Sequence, residues 1–216
     1  MSTSQLTPEL MAKRVAHYRD LRPYKDTMND AHGIPPEAMR MMSPDKVYPI
    51  MSPEDWTGRS KIAPVKGESG LTMSLVECSP GENAGLHKHT DSVENFFCVE
   101  GRFDITWGEH GEHRIELNPL DFASIPAGIN RDFRNVGDTL GRLFVTIQTR
   151  PGDTKDTVVH PAAAGDEITN ALVSTRGTRW PRSACASASS PRVAGWCRRC
   201  RLSLVQTMSR PWRRQP

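Results

Sequence analysis

The sequence predicts an all-β fold, a small barrel or sandwich, preceded by an N-terminal helical extension. Three observations lead there. From Tyr48 to Thr149 short stretches alternate apolar and polar side chains, as in LTMSLVEC at 71–78. Turn-formers such as Gly101 and Glu109-His110-Gly111 separate these stretches at regular intervals. The length of 216 residues suits one domain with appendages.

In chain order, a helix is expected over 7–21. Thr7 is a suitable N-cap, Pro8 takes the first helical position and Glu9 lies in the first turn. Leu10, Met11, Val15, Tyr18 and Leu21 gather on one side, a face for packing against the barrel or a second subunit, and Pro23 stops the run. A second short helix should start at Pro35-Pro36-Glu37 and reach Met41 or Met42. Strands follow at 71–78, 95–100, 102–107, 113–117, 122–125, 129–136 and 143–149, with 95–107 expected as a hairpin about Gly101. The β pattern ends after Pro161. His17 and His32 lack ligand spacing and are read as surface or packing residues. His110 and His113 flank a turn and should be solvated.

The net charge of +3 hides an asymmetry. Residues 1–175 hold 18 basic and 25 acidic side chains (18 − 25 = −7), whereas 176–216 hold 10 arginines and no acid. An acidic body argues against nucleic-acid binding by the barrel. No run of eighteen apolar residues occurs, and MSTSQLTPEL has no basic-then-apolar signal, so no membrane span is expected and a cytoplasmic location is the default. Residues 1–175 hold only Cys78 and Cys98, too few for a disulfide framework.

The stretch 176–216 shows no lasting helical or strand period and should be poorly ordered. Three readings compete: an arginine-rich arm for acidic partners, a metal or redox site begun by Cys197 and Cys200, and translation in the wrong frame of a GC-rich gene. The composition favours the last.

The chemistry concentrates in GENAGLHKHTDSVENFFCVEG at 81–101. On a strand, His87 and His89 leave the same face roughly 6.5–7 Å apart, close enough to converge on one ion. Glu94 has the wrong parity to join them on that strand, but Thr90-Asp91-Ser92 can turn the chain and present it from the neighbouring one. Two imidazoles and a carboxylate with open positions opposite form the facial triad of non-haem iron.

The same stretch resembles the first motif of the cupin superfamily, through Gly81, His87, His89, Glu94 and Gly101 at the family's spacing. Asp121 to Asn135 (DFASIPAGINRDFRN) is similar to the second motif, with Pro126, Gly128 and Asn135 in place. Asp121 stands where the family has glycine, and Arg131 where it has a fourth ligand histidine. The resemblance implies a double-stranded β-helix, a jelly-roll-like barrel. The expected layout is an arm at 1–64, the barrel at 65–150, an extension at 151–175 and the tail at 176–216.

On its strand Arg131 shares a face with Ile129, Phe133 and Asn135, which should point inward. A guanidinium cannot ligate a metal and must find an anion. Three partners are open: an anionic substrate beside a metal held by His87, His89 and Glu94; Glu94 itself in a metal-free site; or another inward acid such as Glu77 or Glu100. Cys98, on the face of Glu94 and Phe96, is read as a small protonated filler. Phe96, Phe103, Ile125, Phe133 and Phe144 are expected as lining or inter-sheet packing. The resulting expectation is a mononuclear metalloenzyme for a small organic acid or enolisable compound, most simply a dioxygenase. Its divalent ion would be Fe(II), or else Mn, Ni or Zn. A cupin isomerase or lyase and a metal-free binding cupin are the alternatives. A homodimer through the N-terminal arm is also expected, because sheet edges need cover.

Overall fold

The computed structural model describes residues 6–25, 36–44, 46–166 and 170, the side chains of residues 36, 37 and 39 excepted. The chain forms two compact units, Met1–Pro161 and Ala162–Pro216. Among the described residues of the second, a helical turn covers 162–166. The readings made of 176–216 and of His32 lie outside the described residues.

Among the described residues, two short helices, α1 (Pro8–Ala12) and α2 (Pro36–Met42), precede the strands. Eleven strands follow: β1 (Lys46–Pro53), β2 (Val65–Gly67), β3 (Leu71–Cys78), β4 (Lys88–His89), β5 (Val93–Glu100), β6 (Phe103–Trp107), β7 (His113–Leu117), β8 (Phe122–Ile125), β9 (Arg131–Asn135), β10 (Gly141–Gln148) and β11 (Val158–Val159). One sheet runs β2-β1-β3-β10-β5-β8, a second β7-β6-β9, and β11 pairs with β4. This is the small all-β barrel that the alternation predicts, in the double-stranded β-helix form that the resemblance implies.

Inward side chains grade from polar to apolar along the barrel. On β5, Glu94, Phe96 and Cys98 are buried, and they lie opposite Ile147, Val145 and Leu143 of β10. From the facing sheet, Phe133 packs edge-on against Phe96 at 5.6 Å and Phe103 at 6.4 Å. Glu94 is therefore the polar end of an apolar row. At the other end Asn135 is buried but satisfied: its amide donates to the carbonyls of Cys78 and Thr139, both at 2.8 Å, and its oxygen accepts from Gly137 N–H. Burial raises the thiol pKa of Cys98 to about 11, which keeps it protonated.

Three expectations need correction. The helix over 7–21 stops at Ala12, and only a single turn at Tyr18–Asp20 follows. Its apolar face has no core to cover, with Leu10, Met11 and Val15 exposed, and short unpacked helices are marginal in water. Tyr18 instead donates to Glu77 at 2.6 Å and sets its ring 5.9 Å from that of Tyr48, so docking overrides local propensity. The hairpin about Gly101 is absent: β5 pairs with β10 and β8, whereas β6 pairs with β7 and β9. Gly101 carries the chain from one sheet to the other. Ile129 precedes β9 and is 39% exposed rather than inward-facing.

Candidate metal centre

Backbone pairing brings the site together. His87 N–H donates to Arg131 C=O at 3.0 Å and Arg131 N–H to His87 C=O at 2.7 Å, fixing the first motif beside β9. Two residues on, His89 lies on β4, where Val158 of β11 pairs with it. The i, i+2 spacing turns both imidazoles inward, while Lys88 between them is only half-buried. Glu94 enters from the start of β5 after the 90–92 reversal. One ligand atom from each of His87, His89 and Glu94 lies within 4.8 Å of the others, and all three residues are buried.

The ring orientations suit an ion. His87 Nδ1 is 2.7 Å from the Gly85 carbonyl, which can only accept, so Nδ1 carries the proton and Nε2 is left as a donor of electrons. His89 Nδ1 is in contact with the Asp156 carboxylate, which also accepts from Ser92 Oγ. The two Nε2 atoms then approach Glu94 Oε2, at 3.9 Å for His87 and 3.4 Å for His89. Ligands at roughly 2.1 Å from one ion stand about 3.0–3.5 Å apart at octahedral or tetrahedral angles, so little movement is needed. Anchoring each ligating imidazole through its far nitrogen is what metal sites use to fix the tautomer. Burial first, then the positive fields of His89 and Arg131, push the His87 pKa well below the usual histidine range, against the Gly85 hydrogen bond. Its neutral form is the form that binds cations.

Arg131 is fully buried, the largest side chain in the barrel with no surface. Its Nε donates to Glu94 Oε2 at 2.8 Å and Nη1 to the Ile129 carbonyl at 3.1 Å, while Nη2 is buried without a partner. The contact with Glu94 is a single bond, not a fork. A carboxylate has about four lone-pair sites, so one bond leaves acceptor capacity for an ion. Glu77 and Glu100 are both held by Arg142, so neither is the anion that Arg131 meets. The donor set fits a divalent cation that shares Glu94 with a guanidinium.

Four residues escaped the sequence reading. Asp156 and His160 come from the strap around β11, where 156, 158 and 160 share a parity that a β reading carried past Thr149 would have shown. His160 lies 5.6 Å from the His87 ring and holds the Leu86 carbonyl at 3.2 Å through Nδ1. Tyr24 and Arg59 come from the segment before the barrel, which has no motif to flag them. With His87, His89, Glu94 and Asp156 they line a cavity of about 270 Å³. His110 and His113, by contrast, are exposed at their turn, as expected.

The Cupin_2 family model, described as a cupin domain, matches residues 74–147. No curated protein matches the chain. Among solved structures, the chain is similar to the Cnp3 cupin domain of Schizosaccharomyces pombe, with 19% identity over 39% of this chain and 60% of that one, at a TM-score of 0.36. A predicted oxalate decarboxylase from Thermotoga maritima matches at 19% identity over 37% of this chain and 66% of that one, TM-score 0.34. A sugar phosphate isomerase of the cupin superfamily from Silicibacter pomeroyi matches at 20% identity over 58% and 68%, TM-score 0.39. The chain thus spans less than two thirds of the length of the first two. With both motifs inside the matched segment and the barrel built around them, residues 74–147 are a cupin domain.

Proposed function

We propose that the protein is a mononuclear metal-dependent cupin that acts on a small organic anion or enolisable compound, with dioxygen chemistry as the first candidate. The carrying observation is the buried group of His87, His89 and Glu94, whose Nε2 and carboxylate atoms face one another at 3.4–3.9 Å. Three protein donors on one side leave positions open for substrate and O₂. When bound, a divalent ion supplies Lewis acidity or an O₂-binding centre. The chain's own residues set the conditions. Asp156 and Gly85 hold the ring protons on Nδ1, the apolar layer of Phe96 and Phe133 excludes water from below, and Arg131 moderates the charge of Glu94.

The Arg131–Glu94 bond at 2.8 Å favours a second reading, a metal-free cupin that binds its ligand without turnover. Elemental analysis separates them. Freshly purified protein, or protein incubated with Fe(II), Mn(II), Ni(II) or Zn(II), is expected to hold about one ion per chain, and His87→Ala with His89→Ala to hold none. Failure with every metal overturns the enzyme reading. O₂ uptake with candidate acids then divides the dioxygenase from an isomerase or lyase.

A further inference from the structure

Two guanidinium groups belong to this region, and they differ in what they can reach. Arg131 has no exposed surface and gives Nε to Glu94 and Nη1 to the Ile129 carbonyl, with Nη2 buried beside them. Arg59 lines the cavity itself, together with His87, His89 and Glu94. It begins the turn Arg59–Ile62 ahead of β2, so its backbone is set by the strand that follows. The guanidinium carbon lies 5.4 Å over the Tyr24 ring centroid, and Nη1 donates to Tyr24 Oη at 3.3 Å. This contact fixes the plane of the fork and uses one of five N–H donors. No carboxylate among the described residues lies within ion-pair range of it.

The surroundings favour an incoming anion. Arg59 is exposed to solvent, yet protein crowds it closely enough to cost it hydration, and Asp156 and Glu94 are near enough for their fields to act on it after that of Tyr24. Glu94 already pairs with Arg131, and Asp156 lies against His89 Nδ1 and accepts from Ser92 Oγ. Among the described residues, Arg59 is thus a cavity cation with no carboxylate of its own, and a divalent ion at the histidines would add to its pull. Planar forks bind carboxylates and phosphates with two parallel hydrogen bonds.

We propose that Arg59, held by Tyr24, is the anion-binding residue of the cavity and grips the carboxylate or phosphate of the substrate while its remainder faces His87, His89 and Glu94. This rests on reading the cavity as the substrate site, but not on the metal. It makes Arg59 a specificity-determining residue for molecules bearing an oxyanion.

The test uses the full chain, stripped with EDTA or loaded with Mn(II), titrated calorimetrically with malonate and with inorganic phosphate. Whichever of the two binds more tightly identifies the oxyanion. Arg59→Gln is expected to weaken that binding tenfold or more with metal content unchanged, and Arg59→Lys to recover part of it. Should Arg59→Gln fail to fold, wild-type protein supplies a second reading. Phenylglyoxal should modify Arg59 at a rate that the bound anion slows, with buried Arg131 as the unreactive control. Arg59-dependent binding without any metal supports this proposal while the metal reading fails. Equal affinity in Arg59→Gln, no protection from phenylglyoxal, or no binding of either anion to wild-type protein overturns it.

Discussion

At the residue scale, the site depends on acids that never touch an ion. Asp156 lies against Nδ1 of His89 and favours the ring proton there. Burial pushes the Asp156 carboxyl up, yet His89 together with Ser92 and Arg59 holds it below the usual range. Without it the His89 ring can adopt the other tautomer and rotate. Asp156→Asn and Asp156→Ala are expected to lower metal affinity about 10–100-fold, the usual effect of losing such a partner, read by competition with a chelator. Asp132, outward on β9, behaves oppositely. Burial raises its pKa to about 6, although the N–H of Ala84 donates to it at 2.9 Å. The folded protein then holds this proton more tightly than the unfolded chain. Stability should fall as pH rises from about 4 to 6, by on the order of 2–3 kcal/mol, and level off above. Denaturant midpoints across that range should show the slope, and Asp132→Asn should flatten it. The triad was legible because ligand spacing is local and strand parity is strict. Asp156 was not, since nothing within 60 residues of His89 announces that a later strap will reach its far nitrogen.

At the element scale, strand positions were readable and strand partners were not. Alternation locates β3 to the residue, although its buried face runs from polar Thr72 and Ser74 to apolar Val76 and Cys78. Gly101 looked like a hairpin turn because glycine marks both tight turns and crossings. Its φ of 86°, and the mere 2.8 Å that would separate a Cβ at this position from Gly141 Cα, fix what it does: two backbones pass here as the chain changes sheets. Gly101→Ala must accept a left-handed φ and push β10 away. A loss of about 2–4 kcal/mol follows from strain and overpacking together, with lower denaturant midpoints for the whole barrel as the readout. The arm before β1 was misread for a different reason. Its helical signals are genuine at Thr7, Pro8 and Glu9, but Tyr18 gains more from Glu77 and Tyr48 than from continuing the helix.

At the scale of the whole molecule, the cavity is closed by segments outside the 74–147 match: Tyr24, Trp56 and Arg59 from the N-terminal side, Asp156 and Val158 from the C-terminal side. The cavity lining therefore draws on most of Met1–Pro161, and within that unit 18 basic residues face 23 acidic ones (18 − 23 = −5). The remaining residues bring 10 arginines and two acids, enough to reverse the sign of the chain to +3. A unit with its own strands, core and metal donors does not need that charge to fold. A chain ending at Pro161 is expected to melt within about 2 °C of the full chain and to bind the same amount of metal. What should change is long-range attraction. The full chain, with its arginine cluster, should bind heparin or bulk DNA weakly and in a salt-dependent way, whereas the shortened chain, net acidic, should not bind either at low ionic strength. A large fall in melting temperature or metal content on shortening would mean that the second unit completes the first, and the site would have to be sought in the whole chain.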